Sequence, residues 1–427
     1  MSNLTKVHEL ILIGHTICSD SREAKRGSLF FALKGQSFDG NKFAQQAIDN
    51  GAALAIVDDR KLSDKKNMLH VNNVLSFLEE LGIFHRETLN IPVIGLTGTN
   101  RKTITKELIN KVLSTKYKTF ATKGNLNNHI GVPLSILAIK EQYEIAIIEM
   151  GANHIGEIGN LCSISKPTHG LITNIGKAHL EGFGSINGVI KAKSELYAYL
   201  EEEKGVVFIN SENSLLKEIA QTFNFKEVVG YQNAFHVTKK ETLKGFLKFS
   251  INHSKKHYEV NTNIVGDYNL ENILAALSVG NYFGVDMANA IMAIESYVPN
   301  NSRSQKLETR FNTIILDAYN ANPTSMELAL TNFNNLPTNS PKMVILGEML
   351  ELGDYAQEEH TKIGAIATKL FSNIILVGKS FKHIDGCQWF ENHADCINHL
   401  KSNPKKGFTI LIKASRGVGL DRVLEYL

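Results

Sequence analysis

VIGLTGTNRKTITKE, residues 93–107, runs from a short apolar stretch through a tight polar turn into the opening of a helical pattern. Strand, loop and helix in that order is the setting in which a loop binds phosphate. Small residues let backbone N–H groups turn inward on phosphate oxygens, and the following helix adds the positive end of its dipole. Gly98, Thr99, Asn100 and Arg101 then form the turn, Lys102 neutralises the outer phosphates, and the Thr103 hydroxyl reaches Mg²⁺. The spacing departs from GxxxxGK[ST], because Leu96 stands at the first glycine and Arg101 at the last. An ordinary strand–turn–helix is the competing reading of this stretch taken alone. A side chain at 101 either crowds the phosphates or needs a left-handed backbone, which costs a non-glycine residue about 1 kcal/mol. Its guanidinium then swings outward or adds a phosphate contact.

Working outward, apolar runs keep alternating with amphipathic segments. SLFFAL, ALAIVD, NMLHVN, YEIAIIEMG, HGLITNIG, GVVFIN, NTIILDAY, KMVILGEM, NIILVGK and FTILIKAS read as buried, often parallel strands. FAQQAIDNGA, TKELINKVLST, LENILAALSVGNYF and HTKIGAIATKLF carry helical patterns. The alternation predicts an α/β protein with largely parallel sheets. Two breaks, HRETLNIP (85–92) and YVPNNSRSQK (297–306), divide the chain into three expected domains, 1–90, 91–303 and 304–427.

The bulk properties narrow the class. Hydrophobic residues make up 43% of the 427 and charged residues 21%, the mix of a globular protein. Lys and Arg total 46 against 43 Asp and Glu, so nothing in the charge argues for a nucleic-acid or membrane partner. Four scattered cysteines show no metal-ligand spacing and read as reduced thiols. With no signal-peptide pattern and no apolar run of about 18 residues, a cytoplasmic protein is expected, and a monomer.

Two further segments bear on the loop. AIIEMGAN (146–153) ends a buried strand in Glu149, where a carboxylate is costly unless paired or metal-bound. ITNIGKAHLEGFGS (172–185) puts His179 just after another strand, at the edge where ligands gather in open α/β sheets. Alone, His179 reads as a structural or surface histidine; with Glu149 and Thr103 it suggests a site for two divalent ions.

TGTNRKTITKEL, ATKGNLNNHIGVPLSIL, IIEMGANHIGEI, ITNIGKAHLEGFGS, KAKSELY and GDYNLENILAAL resemble, in order, the central domain of the Mur ligases. These are the ATP-dependent amino-acid-adding enzymes of peptidoglycan synthesis. CSDSREAKRGSLFFALKGQSFDGNKFAQQAIDNGA, DAYNANPTSMELAL, ILGEMLELGDY and IKASRGVGLDRVL are similar to one branch, which adds D-alanyl-D-alanine to a UDP-N-acetylmuramoyl-tripeptide. The resemblance covers nearly the whole chain. It implies a UDP-substrate-binding N-terminal α/β domain, a central P-loop ATPase domain with a mostly parallel sheet, and a Rossmann-like C-terminal domain.

The resemblance also implies roles. ATP and Mg²⁺ fall to Lys102 and Thr103, metal ligation to Glu149 and His179, and a carbamylated lysine to Lys193 of AKSELY. A carbamate would turn a cation that repels Mg²⁺ into an oxygen ligand. Without the family, Lys193 reads as a solvated helix lysine, and Lys191 is the neighbouring choice. Asn269 and Asn272 share one helix face near the adenine, although helix capping by Asn269 is the plainer reading. Arg303 is similar to a hinge arginine at the ATP phosphates, and Asp317 to a C-terminal-domain acid at the nucleotide; the second acid of many relatives is absent, with Leu316 and Ala318 on either side. Ser21, Arg22, Lys34, Phe38, Asp39 and Gly40 look like UDP-binding loops, or else ordinary surface turns. Asn127 and Asn128 look like contacts to the growing peptide. Tyr319, Asn320 and Asn322 are candidates for the D-alanyl-D-alanine pocket. Lys413 and Arg416 meet carboxylate or phosphate groups, or form a solvated basic turn.

The implied reaction activates the tripeptide carboxylate as an acyl phosphate, which the amine of D-alanyl-D-alanine attacks. Two Mg²⁺ ions and Lys102 would neutralise the transferring phosphoryl group. A sister ligase adding one amino acid would carry a DNPR-like segment where this chain has YNANPTS. A binding-only homologue rests on Arg101 alone.

Overall fold

The computed structural model describes residues 2–35, 37–232, 234–240, 245–299 and 303–427. Of the break expected at 297–306, residues 300–302 lie outside them. The chain divides into two compact units. The first takes the chain as far as Gly95 together with Tyr117–Gly151 and Glu157–His169. The second takes Leu96–Lys116, Ala152–Gly156 and Gly170–Leu427.

In the first unit four parallel strands lie in the order Ile17–Cys18, Leu29–Phe31, Leu54–Val57 and Met68–His70. Their apolar runs serve both faces of the sheet. Leu29, Phe31 and Ile56 pack with Val7, Leu78 and Leu81, whereas Phe30, Ala55 and Val57 pack with Ala44 and Ala47. Burial on both sides is why these strands read as unbroken apolar runs. The helix Val74–Thr88 starts on Asn73, whose side chain accepts from the Ser76 N–H, and buries Val74, Phe77, Leu78 and Leu81 at helical spacing. It runs through the first half of HRETLNIP, so the break expected there follows directly on a helix end. His85 and Arg86 are buried, and the Arg86 guanidinium donates to the carbonyls of Ser165, Lys166 and Leu89 at 2.8–3.0 Å. In the same unit Thr119–Ala121 pairs in parallel with Ile145–Glu149.

In the second unit Val206–Asn210 pairs in parallel with Glu227–Tyr231. The helices Lys102–Leu113, Ile186–Glu202 and Leu270–Tyr282 belong to it. An antiparallel sheet of His236–Lys240, Phe246–His253 and Lys256–Val265 departs from the parallel expectation. Lys256–Val265 alternates buried and exposed residues, His236–Lys240 buries none, and Lys248 and Ser250 interrupt Phe246–His253, so no continuous apolar run announced them. Towards the C-terminus six strands follow the order Gln305–Glu308, Thr313–Asp317, Thr409–Lys413, Lys342–Gly347, Ile374–Val377 and Gln388–Phe390. The first pair is antiparallel and the others are parallel. The last strand of the chain is thus inserted beside the first of the parallel set, and residues such as Asp317 and Lys413 stand at carboxyl ends there.

Candidate active site

The strand Val93–Thr97 is buried throughout and delivers the chain to Gly98. Gly98 has φ +142°, and a Cβ there would lie 2.0 Å from Thr173 Oγ1, so only glycine fits. The turn is braced by residues 173–176, which follow the strand His169–Ile172. Thr99 N–H donates to Asn174 O at 2.9 Å, and Asn100 N–H to Asn174 Oδ1 at 3.0 Å. Asn100 O accepts from Thr173 Oγ1 at 2.7 Å, and Thr99 Oγ1 accepts from Gly176 N–H at 3.0 Å. Lys102 folds back over the turn, with Nζ donating to Gly98 O at 2.7 Å. Thr103 is buried in the first turn of the helix Lys102–Leu113.

Arg101 caps that helix with φ 67° and ψ 9°, the left-handed conformation the sequence made one of two outcomes. Its guanidinium donates to Glu271 Oε2 at 2.9 Å and Tyr268 O at 2.8 Å, and lies 5.1 Å from the Tyr268 ring centre. The charge is spent on Glu271, which corrects the idea of a phosphate contact from this side chain and leaves only its backbone to the loop. Nearby, Asn272 Nδ2 donates to Asn269 Oδ1 at 2.8 Å, and Thr105 Oγ1 donates to Asn272 Oδ1 at 3.2 Å. Asn269 donates to Val265 O and makes no side-chain cap, so the capping reading of this residue fails.

Glu149 ends its strand in the first unit with 1% of its surface exposed. Asn127 Nδ2 donates to its Oε1 at 2.9 Å, and its own N–H donates to Thr122 Oγ1 at 3.0 Å. Asn127 therefore orients an acid, whereas a peptide contact was expected of it. Asn128 Oδ1 accepts from the N–H groups of Ile130 and Gly131, so its side chain is tied to the start of the helix Gly131–Leu137.

His179 also adopts the left-handed conformation, φ 50° and ψ 39°, ahead of the short helix Leu180–Phe183. Its Nδ1 hydrogen-bonds Glu351, which the sequence reading quoted within ILGEMLELGDY and gave no role. That bond holds the Glu351 carboxyl below its usual range against the opposing effect of burial. Lys193 is 2% exposed, on the face of Ile186–Glu202 that also buries Val189, Leu196 and Leu200, whereas Lys191 is exposed. Its Nζ donates to Ala152 O at 3.4 Å and lies 5.2 Å from the Phe183 ring centre. The solvated reading of Lys193 is thereby corrected.

At the C-terminal sheet, Lys413 Nζ donates to Asp317 Oδ2 at 2.6 Å and Asn320 O at 3.1 Å. Lys413 is 2% exposed and belongs to a strand, so the solvated-turn reading fails for it, and its ammonium is already committed. Ser304 N–H donates to the other Asp317 oxygen at 3.3 Å. The Arg303 and Arg416 guanidiniums lie 3.8 and 5.3 Å from the Tyr319 ring centre. Asn322 caps the helix Pro323–Asn335 through Ser325 N–H and exchanges amide hydrogen bonds with Asn100. Its side chain thus ties the phosphate loop to the start of that helix. Asn322 also lines a cavity of about 120 Å³ together with His179, Asn320, Glu351, Ser415 and Arg416.

The remaining candidates sit in the first unit. Ser21 donates to Gln46 Oε1 at 3.1 Å, and exposed Arg22 grips Asp20, whose carboxyl its hydrogen bonds pull down to about 2. Lys34 pairs with Asp58 at 2.8 Å, Asp39 accepts from Asn41, and Phe38 stacks on Phe43. A Cβ on Gly40 would come within 2.6 Å of Ala32 and Leu33 backbone atoms.

Three family models match consecutive stretches: the Mur ligase family catalytic domain over 14–86, the Mur ligase middle domain over 96–280, and the Mur ligase glutamate ligase domain over 302–416. UDP-N-acetylmuramoyl-tripeptide–D-alanyl-D-alanine ligase of Bacillus subtilis is 34% identical over 97% of this chain and 93% of its own. The chain belongs to the Mur ligase family. The Escherichia coli enzyme of the same name is 32% identical, over 96% and 93% of the two chains. Among solved structures, MurF from Acinetobacter baumannii superposes with a TM-score of 0.86 at 29% identity, covering 98% and 97%. MurF from Thermotoga maritima in complex with ADP gives 0.85 at 26%, covering 100% and 98%.

This Mur ligase has the three-domain architecture of its family and is an ATP-dependent ligase. Among its described residues no helix is long and apolar enough to cross a membrane. Sequence reasoning missed Thr173, Asn174 and Gly176, which hold the phosphate loop from behind, and Glu351. The first three stood inside the segment ITNIGKAHLEGFGS, but their role is hydrogen bonding to a turn 70-odd residues away, which no local pattern reports.

Proposed function

We propose that this Mur ligase joins D-alanyl-D-alanine to UDP-N-acetylmuramoyl-tripeptide at the expense of ATP, forming the pentapeptide precursor of peptidoglycan in the cytoplasm. The full-length relatives carrying that name support the reading. The observation that carries it is the phosphate loop itself: a backbone locked by Thr173 and Asn174, with Lys102 lying across it. The binding-only alternative loses its one argument, since the Arg101 charge is turned away to Glu271. The tripeptide substrate is assigned to domain 1–90, ATP to 91–303 and the dipeptide to 304–427.

In the first step a carboxylate oxygen of the tripeptide bonds to the γ-phosphorus, the β–γ bridging P–O bond breaks, and ADP leaves. Backbone N–H groups at the start of the helix Lys102–Leu113 would bind the phosphates, and Lys102 would exchange its contact with Gly98 O for phosphate oxygens that carry the developing charge. In the second step the dipeptide amine bonds to the acyl carbon, loses a proton, and the C–O bond to phosphate breaks. Tyr319 and Asn320 would orient the dipeptide, with Arg416 facing its carboxylate.

Mg²⁺ fits the residues present. Within the second unit Thr103 offers a hydroxyl and His179 the ring nitrogen not used by Glu351. Among the described residues no three His, Cys, Asp or Glu stand together as a cage; Mg²⁺ commonly takes one or two protein carboxylates and completes its shell with phosphate and water. When bound it neutralises phosphoryl charge. Carbamylation of Lys193 also fits: the carbamate nitrogen keeps one N–H for Ala152 O. Labelled bicarbonate with carbon NMR would show a carbamate signal in the parent and none in Lys193→Arg.

The direct test is phosphate release on adding ATP, UDP-N-acetylmuramoyl-tripeptide and D-alanyl-D-alanine together. Release that needs all three is expected, with Lys102→Ala slower by about 100-fold or more. Intact binding of the UDP-substrate without any release would sink the ligase reading.

A further inference from the structure

His179 is held from outside its own domain. Its Nδ1 partner, Glu351, lies 172 positions further along the chain, beyond the strand Lys342–Gly347. The contact is one of a set joining residues 176–184 to the C-terminal part of the same unit. Lys177 N–H donates to Thr324 Oγ1 at 3.1 Å, and Lys177 Nζ pairs with Glu359 Oε1 at 2.8 Å. Tyr355 donates its hydroxyl to Gly184 O at 3.2 Å, and Glu181 N–H points to Glu351 O at 3.4 Å. The Asn100–Asn322 amide pair ties the phosphate loop to the same side.

A carboxylate on Nδ1 does something specific to a neutral imidazole. It fixes the proton on Nδ1, leaves the lone pair on Nε2, and sets the ring plane. Both His179 and Glu351 sit in left-handed backbone, φ 50° and 62°, so neither is relaxed into place by its local chain. Glu351 lines the same 120 Å³ cavity as His179 and is half exposed, so it is no buried structural acid.

We propose that Glu351 is a positioning residue that makes His179 a competent metal ligand only when the C-terminal domain is docked. The inference rests on the ligase reading above and extends it. Docking and metal affinity then become linked: whatever factor docking adds to metal binding, metal adds to docking. ATP would be committed only over a domain that also carries the dipeptide pocket, which limits loss of the acyl phosphate to water.

The experiment is an EPR titration of Mn²⁺ into the full chain with ADP present, for the parent, Glu351→Ala and Glu351→Gln. Nitrogen NMR of histidine-labelled protein reads the ring tautomer beside it. Glu351→Ala is expected to weaken Mn²⁺ about 10- to 100-fold and to release the His179 ring from its single Nδ1–H tautomer. Glu351→Gln, whose amide oxygen still accepts from Nδ1–H, is expected to stay within about 5-fold of the parent. Parent-like Mn²⁺ binding by Glu351→Ala, or equal losses in both variants, would overturn the positioning role. A parent that binds ADP without Mn²⁺ would overturn the ligase reading beneath it.

Discussion

Arg101 and His179 are built alike and held differently. Each is a large residue in left-handed backbone at the start of a helix, and each gives its side chain to a carboxylate. Glu271, the partner of Arg101, belongs to the helix Leu270–Tyr282 of the same middle domain and adds the Tyr268 carbonyl as a second hold. Glu351, the partner of His179, comes from the C-terminal domain. Strain at the first position is compensated whenever the middle domain is folded. At the second the compensation arrives only with another domain. A strained residue with a local partner is scaffolding, and one with a distant partner is a means of coupling.

The largest effect should come from the conditional member. His179→Ala is expected to lower turnover about 100-fold or more in a coupled ADP assay, and a loss below about 3-fold would remove His179 from the machinery. A second imidazole sharpens the contrast, because its partners belong to its own unit. His85 is buried, and its Nε2 lies 2.8 Å from Ile139 O, so that nitrogen must carry the proton, leaving Nδ1 to accept from His8 Nε2–H at 2.9 Å. Burial lowers the affinity of both rings for protons. The unfolded chain therefore binds more protons below about pH 6.5, and stability falls as pH drops through that value towards the depressed folded ones. Thermal melts from pH 8 to 5 should show a loss of stability that flattens in His85→Gln; an equal slope in that variant would exclude this pair as its source.

The smallest effect belongs to the locally compensated member. Arg101→Gly relieves about 1 kcal/mol of backbone strain and forfeits an ion pair worth about the same. ATP affinity by calorimetry should stay within about 3-fold. A large gain would make Arg101 a handicap to the loop, and a large loss would give its side chain a part in binding that Glu271 does not suggest.

The parallel strands were legible because burial on two faces leaves an unbroken apolar run, as in Ile145–Glu149. The antiparallel sheet of 236–265 was not, since polar residues interrupt the apolar ones in every strand. Lys193 was within reach: Val189, Lys193, Leu196 and Leu200 share one helical face, and the lysine lies among residues that are all buried. Glu351 was beyond reach, since its meaning depends on a ring 172 residues away. Asn127 and Asn322 were legible as polar groups, but their bonds to Glu149 and Asn100 join residues far apart in the chain, which no local pattern reports.

Gly98 sets one last asymmetry in the loop. Any side chain there would meet Thr173 Oγ1 at 2.0 Å, whereas the Arg101 side chain already points away from the turn. A saturation library over 98–103 should therefore come back lopsided, empty at its first position and varied at its fourth. Resistance to a nucleotide-competitive inhibitor would have to arise through the tolerant end of the loop. A compound designed to press on Gly98 would meet a surface the protein has almost no means of changing.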